Sequence, residues 1–295
     1  MAKPLLIEVR RNGLVEAVHR VDAVAVRGGE VFAQAGDPSL TYFMRSSSKP
    51  LQAIPLVRSR DDLPDDEIAI ACASHHDTPE QVAAVRALLA RAEATEDDLE
   101  LGPQAGRPPE PIHNNCSGNH AGMLALCRTR GWPMQGYRLP EHPAQQACLD
   151  VHAEAAELER GEIPRGTDGC GIVTFALTLE QVAHAYSRIE SLRGGGRVAD
   201  AMRARPDLVG GPDGADYLLM RDAPGWLAKS GAEGLLCAAG PDGIGVALKT
   251  DDGASRAHAP ALAAFLAQLG IDLPELALRP VINTRGERVG EIVSA

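Results

Sequence analysis

The residues best able to do covalent chemistry in this sequence are serines with a lysine close behind. In Arg45-Ser46-Ser47-Ser48-Lys49-Pro50-Leu51-Gln52-Ala53, three serines precede a lysine and an apolar periodic run (Leu51, Ile54, Pro55, Leu56, Val57) follows. On a helix, residues three apart share a face, so Ser46 stacks on Lys49 while Ser47 and Ser48 point elsewhere. A serine is a poor nucleophile near neutral pH and needs a base beside it. Lysine serves as that base only when burial or a neighbouring cation favours the neutral amine, conditions that the apolar run and Arg45 would supply. The same residues also read as a serine cap followed by a solvated lysine.

Five further stretches carry reactive side chains. Ser74 lies in Ala73-Ser74-His75-His76-Asp77, where the plain reading is a helix-terminal cap. His113-Asn114-Asn115-Cys116-Ser117-Gly118-Asn119-His120-Ala121-Gly122 is a dense polar stretch running into an apolar helix at 123–127, richer in chemistry than a linker needs to be. Gly166-Thr167-Asp168-Gly169-Cys170-Gly171 is a tight loop before an apolar segment. Lys229-Ser230-Gly231-Ala232-Glu233-Gly234 precedes a strand, and Lys249 precedes Asp251-Asp252-Gly253, where a salt bridge is the ordinary explanation. Cys116 and Cys170 read by default as buried free thiols, as do Cys72, Cys127, Cys148 and Cys237 in apolar patterns.

The elements that must position these groups follow from periodicity. Period-two segments at 5–10, 14–19, 23–27 and 31–36, punctuated by Asn12-Gly13 and Gly28-Gly29, predict an N-terminal antiparallel meander. Helices are expected at 65–72, 79–92, 143–159, 179–192, from 194 to near Pro206, and at 254–269. A hairpin of strands at 235–239 and 244–249 turns across Pro241-Asp242-Gly243. Gly102 to Pro111 reads as a hinge or surface excursion. Pro50 disfavours a helical backbone at Lys49, placing the lysine at a helix entrance. Strands, then helices, then strands and a helix give an α+β fold with helices packed on an antiparallel sheet, and no βαβ series.

Bulk composition narrows the function classes. With 295 residues, 44% of them hydrophobic, the chain can bury a sizeable core. A net charge of −11 argues against a nucleic-acid partner. No apolar run reaches membrane-spanning length, and the start Met1-Ala2-Lys3-Pro4 does not read as a signal peptide, so six scattered cysteines are expected to be reduced thiols of a cytoplasmic protein.

Ser46-x-x-Lys49, then Ser74, then Lys229-Ser230-Gly231 follow the order of the serine β-lactamases and penicillin-binding proteins. The longer signatures say more. Arg-Ser-x-x-Lys with Leu-Gln-Ala, Ala-Cys-Ala-Ser-His, His-Asn-Asn-Cys-Ser-Gly-x-His-Ala-Gly, Asp-Gly-Cys, Lys-Ser-Gly-Ala-Glu-Gly and Lys-x-Asp-Asp-Gly resemble the asparaginase II family, the rhizobial-type L-asparaginases, over about residues 5 to 290. The resemblance implies one β-lactamase-like domain spanning 1–295, with a helical lobe at about 60–205, and a homodimer. It implies hydrolysis of L-asparagine to aspartate and ammonia through two serine–lysine pairs, Ser46 with Lys49 and Ser74 with Lys229. Ser46 is read as nucleophile, with the reverse assignment to Ser74 open. Arg45 and His120 would hold the substrate α-carboxylate and Asp168 its α-ammonium, since a zwitterion requires both signs at fixed positions. The family also binds zinc near this site through two cysteines and a lysine. The cysteines correspond to Cys116 and Cys170, but Asn119 stands where the lysine would be, and a neutral amide is a poorer zinc ligand. Glutaminase or β-lactam hydrolysis on the same fold, or a non-catalytic amino-acid- or metal-binding relative, are the alternatives. Neither a Thr-Gly-Gly-Thr segment near the start nor a continuation of Gly166-Thr167 beyond the zinc-type motif supports threonine-dependent chemistry.

Overall fold

The computed structural model describes residues 2–295. In chain order the strands are β1 (Leu5–Arg11), β2 (Leu14–Arg27), β3 (Glu30–Ala35), β4 (Thr41–Phe43), β5 (Arg165–Thr167), β6 (Val173–Thr178), β7 (Leu227–Ser230), β8 (Leu235–Gly240), β9 (Ile244–Thr250), β10 (Leu278–Ile282) and β11 (Arg288–Ser294). The helices are α1 (Lys49–Ser59), α2 (Asp65–Ala71), α3 (Pro79–Arg91), α4 (Ser117–Arg130), α5 (Pro143–Ala156), α6 (Leu179–Arg188), α7 (Gly195–Ala204), α8 (Pro206–Val209), α9 (Ala215–Asp222), α10 (His258–Ala267) and α11 (Pro274–Ala277). The chain divides into two compact units. The first comprises the chain up to Tyr42, Leu177–Ser187 and Asp213–Ala295, and the second Phe43–Ala176 with Arg188–Pro212. The helix-rich second unit thus begins earlier than the lobe expected at about 60–205 and omits Leu177–Ser187.

The first unit is built on an antiparallel sheet of order β10-β11-β1-β2-β9-β8-β7, with β3 also paired to β2. Alternation along β2, β8 and β9 sends Val21, Ala23, Leu236, Ala238, Val246 and Leu248 to one face, where they form a core with Leu262, Phe265 and Leu266 of α10 and Leu219 of α9. Burying each such side chain contributes roughly 1.5–3 kcal/mol. Gly245 lies on the opposite face, and a Cβ there would come within 1.9 Å of the Ala183 carbonyl, so α6 seats on the sheet only over a glycine. The predicted breaks at Asn12-Gly13 and Gly28-Gly29 are hairpin turns. The separate strands expected at 14–19 and 23–27 are one continuous strand, because Val21 and Asp22 stay in register with Thr250 and Lys249 and Asp22 makes no turn. β10, β11 and α9 were not foreseen; β11 pairs with β1 from the far end of the chain.

In the second unit α1 and α4 are central, with apolar faces packed on α2, α3, α5 and α7. Gly118 is required where α4 passes α2: a Cβ would sit 2.2 Å from the Ile70 carbonyl oxygen. α4 starts at Ser117, so the part of the polar stretch from Ser117 to Gly122 forms the first turns of the helix expected at 123–127. The stretch Gly102–Pro111, expected as a hinge or surface excursion, lies on the surface and is tethered there. Arg107 donates to the carbonyls of His75 and His113 at 2.9 and 3.0 Å, and Asn114 donates to the Gly102 carbonyl at 2.9 Å. Among the described residues no helix is long and apolar enough to cross a membrane.

Candidate active site

Arg45–Ser48 forms a single 3-10 turn that runs straight into α1. Pro50 does not force Lys49 out of the helical region: its φ of −57° and ψ of −38° are helical, because the preceding turn already holds the backbone there. Ser46 and Lys49 therefore lie one turn apart on a continuous helical path, as their spacing predicted. Ser47 and Ser48 are committed locally, their hydroxyls donating to the Met44 and Arg45 carbonyls at 2.6 and 2.7 Å. The half-buried Ser46 hydroxyl makes no hydrogen bond to a described residue.

Arg45 has a φ of +52°, a left-handed conformation costing on the order of 1 kcal/mol for a residue with a Cβ. The surroundings hold it there. Its N–H donates to Thr174 Oγ1 at 3.0 Å, and its guanidinium grips Asp168 through Nε and Nη2, both at 3.1 Å. The positive and negative groups expected to hold a zwitterion are therefore paired with each other, directly before the candidate nucleophile.

Lys49 is buried, and its Nζ donates to the Ala73 carbonyl at 2.6 Å, Ser74 Oγ at 3.3 Å and Cys116 Sγ at 3.3 Å. Three contacts match the three donors of an ammonium. Sequence spacing paired Lys49 with Ser46; the hydrogen bond that the fold makes is to Ser74. Ser74 follows the end of α2, its backbone fixed by donation to the Val209 carbonyl at 2.9 Å.

Cys116 caps α4, where the helix dipole and the Lys49 ammonium both favour a thiolate. A hydrogen bond from Cys170, chief among these influences, holds the Cys116 thiol well below its usual range, and the same contact pushes Cys170 up. That residue, half-buried where the other five cysteines are buried, lines an open cavity of about 570 Å³ together with Gly169, Gly171, Arg138 and Glu100.

His120 is fully buried. Its Nδ1 meets the Tyr137 hydroxyl at 2.7 Å, and that hydroxyl accepts the Glu100 N–H at 2.8 Å. The arrangement that uses both groups fully has Tyr137 donating to Nδ1 and the His120 proton on Nε2, a buried atom with no partner among the described residues. Burial, helped by Lys49 and Arg138, pushes the imidazole down to about 3, so it is a neutral donor. Tyr137 and Glu100 escaped sequence reasoning, since neither lies in a motif.

The residues of a zinc site do not come together. The two thiols are adjacent, but Asn119 gives its Nδ2 to the Ala71 carbonyl at 3.3 Å, and no three His, Cys, Asp or Glu among the described residues converge. Zinc sites supply at least three strong donors. Here an ammonium already stands 3.3 Å from the Cys116 sulfur. The donor set does not fit the ion.

Lys229 belongs to the other unit. It is fully buried on β7, donates to the Ser230 carbonyl at 2.7 Å and lies 3.7 Å from Asp216 Oδ2. Asp216, on the unforeseen α9, also accepts from the Ser230 hydroxyl and N–H at 2.6 and 3.0 Å. Burial alone would raise the Asp216 carboxyl, but Lys229 and these hydrogen bonds outweigh it and lower it. Lys249 sits in the same unit with its Nζ 5.0 Å from the centre of the Tyr42 ring.

The sequence matches the L-asparaginase II family model over residues 7–294. The chain belongs to that family. Membership makes it an amidohydrolase acting on a small-molecule amide, in agreement with the motifs that first suggested it. No curated protein matches it. Solved structures overlap it distantly. Mglu in its native form is 14% identical with a TM-score of 0.49, covering 90% of this chain and 68% of its own. A β-lactamase from Mycobacterium bovis is 15% identical at 0.36 over 80% and 88%, and one from Sphaerobacter thermophilus 16% identical at 0.38 over 80% and 84%. Overlap at this level bears on neither substrate nor mechanism. The α+β architecture, an antiparallel sheet flanked by helices, is the fold class expected from the sequence.

Proposed function

We propose that this amidohydrolase hydrolyses L-asparagine to L-aspartate and ammonia through a serine ester, with Lys49 as the proton-transfer centre. The observation carrying this reading is that Lys49 lies one helical turn beyond Ser46 and is hydrogen-bonded to Ser74 at 3.3 Å. Lys49 becomes a base by passing one proton to the Cys116 thiolate it touches. Ser46 Oγ then attacks the side-chain amide carbon as its proton moves to Lys49. Ser74 relays that proton to the departing nitrogen, the C–N bond breaks and ammonia leaves. Water, deprotonated by the same amine, cleaves the aspartyl ester.

His120 Nε2–H and Arg45 face the α-carboxylate in this reading and Asp168 the α-ammonium. Lys229 is the second amine, assigned on its Lys-Ser-Gly motif. A homodimer and a cytoplasmic setting belong to the same proposal.

A second reading exchanges the serines, favoured by the hydrogen bond that Ser74, not Ser46, makes to Lys49. Quenching turnover in acid and locating the aspartyl ester by peptide mass spectrometry separates the two. Ammonia release from asparagine, glutamine and a chromogenic β-lactam ranks the substrates. No release from asparagine by the wild type would overturn the proposal.

A further inference from the structure

We propose that His75 and Ser117 are positioning residues, a buried pair that holds the Ser74 hydroxyl against Lys49. Both belong to the motifs around Ser74 and Cys116, and the proposed mechanism uses neither. Both are fully buried. The Asp77 backbone N–H, which can only donate, points at His75 Nδ1 at 3.1 Å, so Nδ1 is the acceptor and the ring proton sits on Nε2. His75 Nε2 lies 2.8 Å from Ser117 Oγ, whose own proton goes to the Ile112 carbonyl at 2.8 Å. Every bond in this chain fits a single neutral tautomer, with His75 donating to Ser117.

The pair joins the two segments that meet at the reacting amine. Ser74 precedes His75 and Cys116 precedes Ser117, and Ser74 Oγ and Cys116 Sγ each lie 3.3 Å from Lys49 Nζ. The His75 N–H also donates to the Asn115 carbonyl at 3.1 Å, so one backbone bond and one side-chain bond fasten the Ser74 segment to the Cys116 segment. Arg107 adds a third tie, donating to the His75 carbonyl at 2.9 Å. Loss of the ring bond frees Ser74 to drift from Lys49, and a displacement of about 1 Å at a reacting group costs roughly 10²-fold in rate. The consequence for turnover rests on the role proposed for Ser74 and Lys49; the link between the segments does not.

The test uses the full chain. His75→Asn keeps an acceptor for the Asp77 N–H but is too short to reach Ser117, and Ser117→Ala removes the acceptor of the ring N–H. Both should lower kcat for asparagine about 10²-fold with KM within about threefold of wild type, because Ser74 acts in the chemical step. His75→Gln carries an amide N–H at the reach of Nε2 and should run at least about tenfold faster than His75→Asn. A kcat changed less than about threefold in His75→Asn and Ser117→Ala, or a Gln variant no faster than the Asn variant, would sink the proposal. Hydrogen exchange at amides 73–77 should quicken in His75→Asn while the helix Pro79–Arg91 keeps its wild-type rates; no change, or equal change in both, argues against the pair. In the wild type, where no variant has to fold, long-range nitrogen-15 spectra should place the His75 proton on Nε2, and a proton on Nδ1 overturns the arrangement. If the wild type releases no ammonia from asparagine, the proposed function fails, while the exchange and nitrogen-15 results still decide whether His75 ties the two segments.

Discussion

Lys49 and Lys229 are both buried amines of serine–lysine motifs, and the two units surround them differently. Around Lys49 the fold places a carbonyl, a hydroxyl and a thiol, with no carboxylate among its hydrogen-bond partners. Beside Lys229 it places Asp216, itself held by Ser230 and the Tyr217 N–H. A carboxylate at this range in a low-dielectric interior attracts an amine far more strongly than it would in water. A hydroxyl and a thiol are instead the partners of the amine to which the proposed mechanism assigns proton transfer. One buried amine is surrounded by a carbonyl, a hydroxyl and a thiol, the other stands against a carboxylate.

The sharpest way to break this contrast is to remove each amine. Lys49→Ala should lower the turnover number for asparagine at least 10³-fold, within the usual range for a general base, and ammonia release measures it. A loss under tenfold would mean that Lys49 is not the exchanging amine. Next in size is a stability effect in the other unit. Asp216→Leu strands a buried cation and should cost about 3–5 kcal/mol in urea unfolding, whereas Lys229→Met with Asp216→Leu should recover most of it. Failure of the double variant to recover stability would show that the pair is not an isolated ion pair.

A smaller effect is pH-linked. His75 and His120 are both pushed down to about 3 and His152 to about 4, in each case chiefly by burial. Their folded-state values lie below the ordinary 6.5, so below pH 6.5 the unfolded chain binds protons that the folded chain refuses. Stability is therefore full above pH 6.5 and declines as pH falls toward 3–4. His120→Gln should flatten that decline by about 1.4 kcal/mol per pH unit, read from urea midpoints between pH 6 and 5. An unchanged slope would deny His120 its neutral, buried role. The smallest expected change is in Arg45→Lys, which loses the bidentate grip on Asp168 and should raise KM about tenfold at near-constant turnover.

Particular residues show how far sequence reasoning reached. The helical spacing that aligns Ser46 with Lys49 was legible because it is local, as were the β8–β9 hairpin and the helix Pro79–Arg91, whereas the 3-10 turn at Arg45–Ser48 was not. The Lys49–Ser74 contact was not, since it joins residues 25 apart whose meeting depends on how α1 lies against the end of α2. Tyr137 fixing the His120 tautomer was invisible for the same reason. Asp216 was missed with its whole helix.

The amino-acid order alone determined which chemistry the chain carries: side-chain type, helical and strand periods, turn glycines and the long polar motifs identify an asparaginase II-type amidohydrolase. Tertiary structure alone decided the partners. Which hydroxyl Lys49 touches, that Cys116 lies against the same amine and that a carboxylate stands by Lys229 are set by packing between distant segments. Local propensities act over a few residues, whereas the electrostatics of a buried group depend on whatever the folded chain brings within about 4 Å of it.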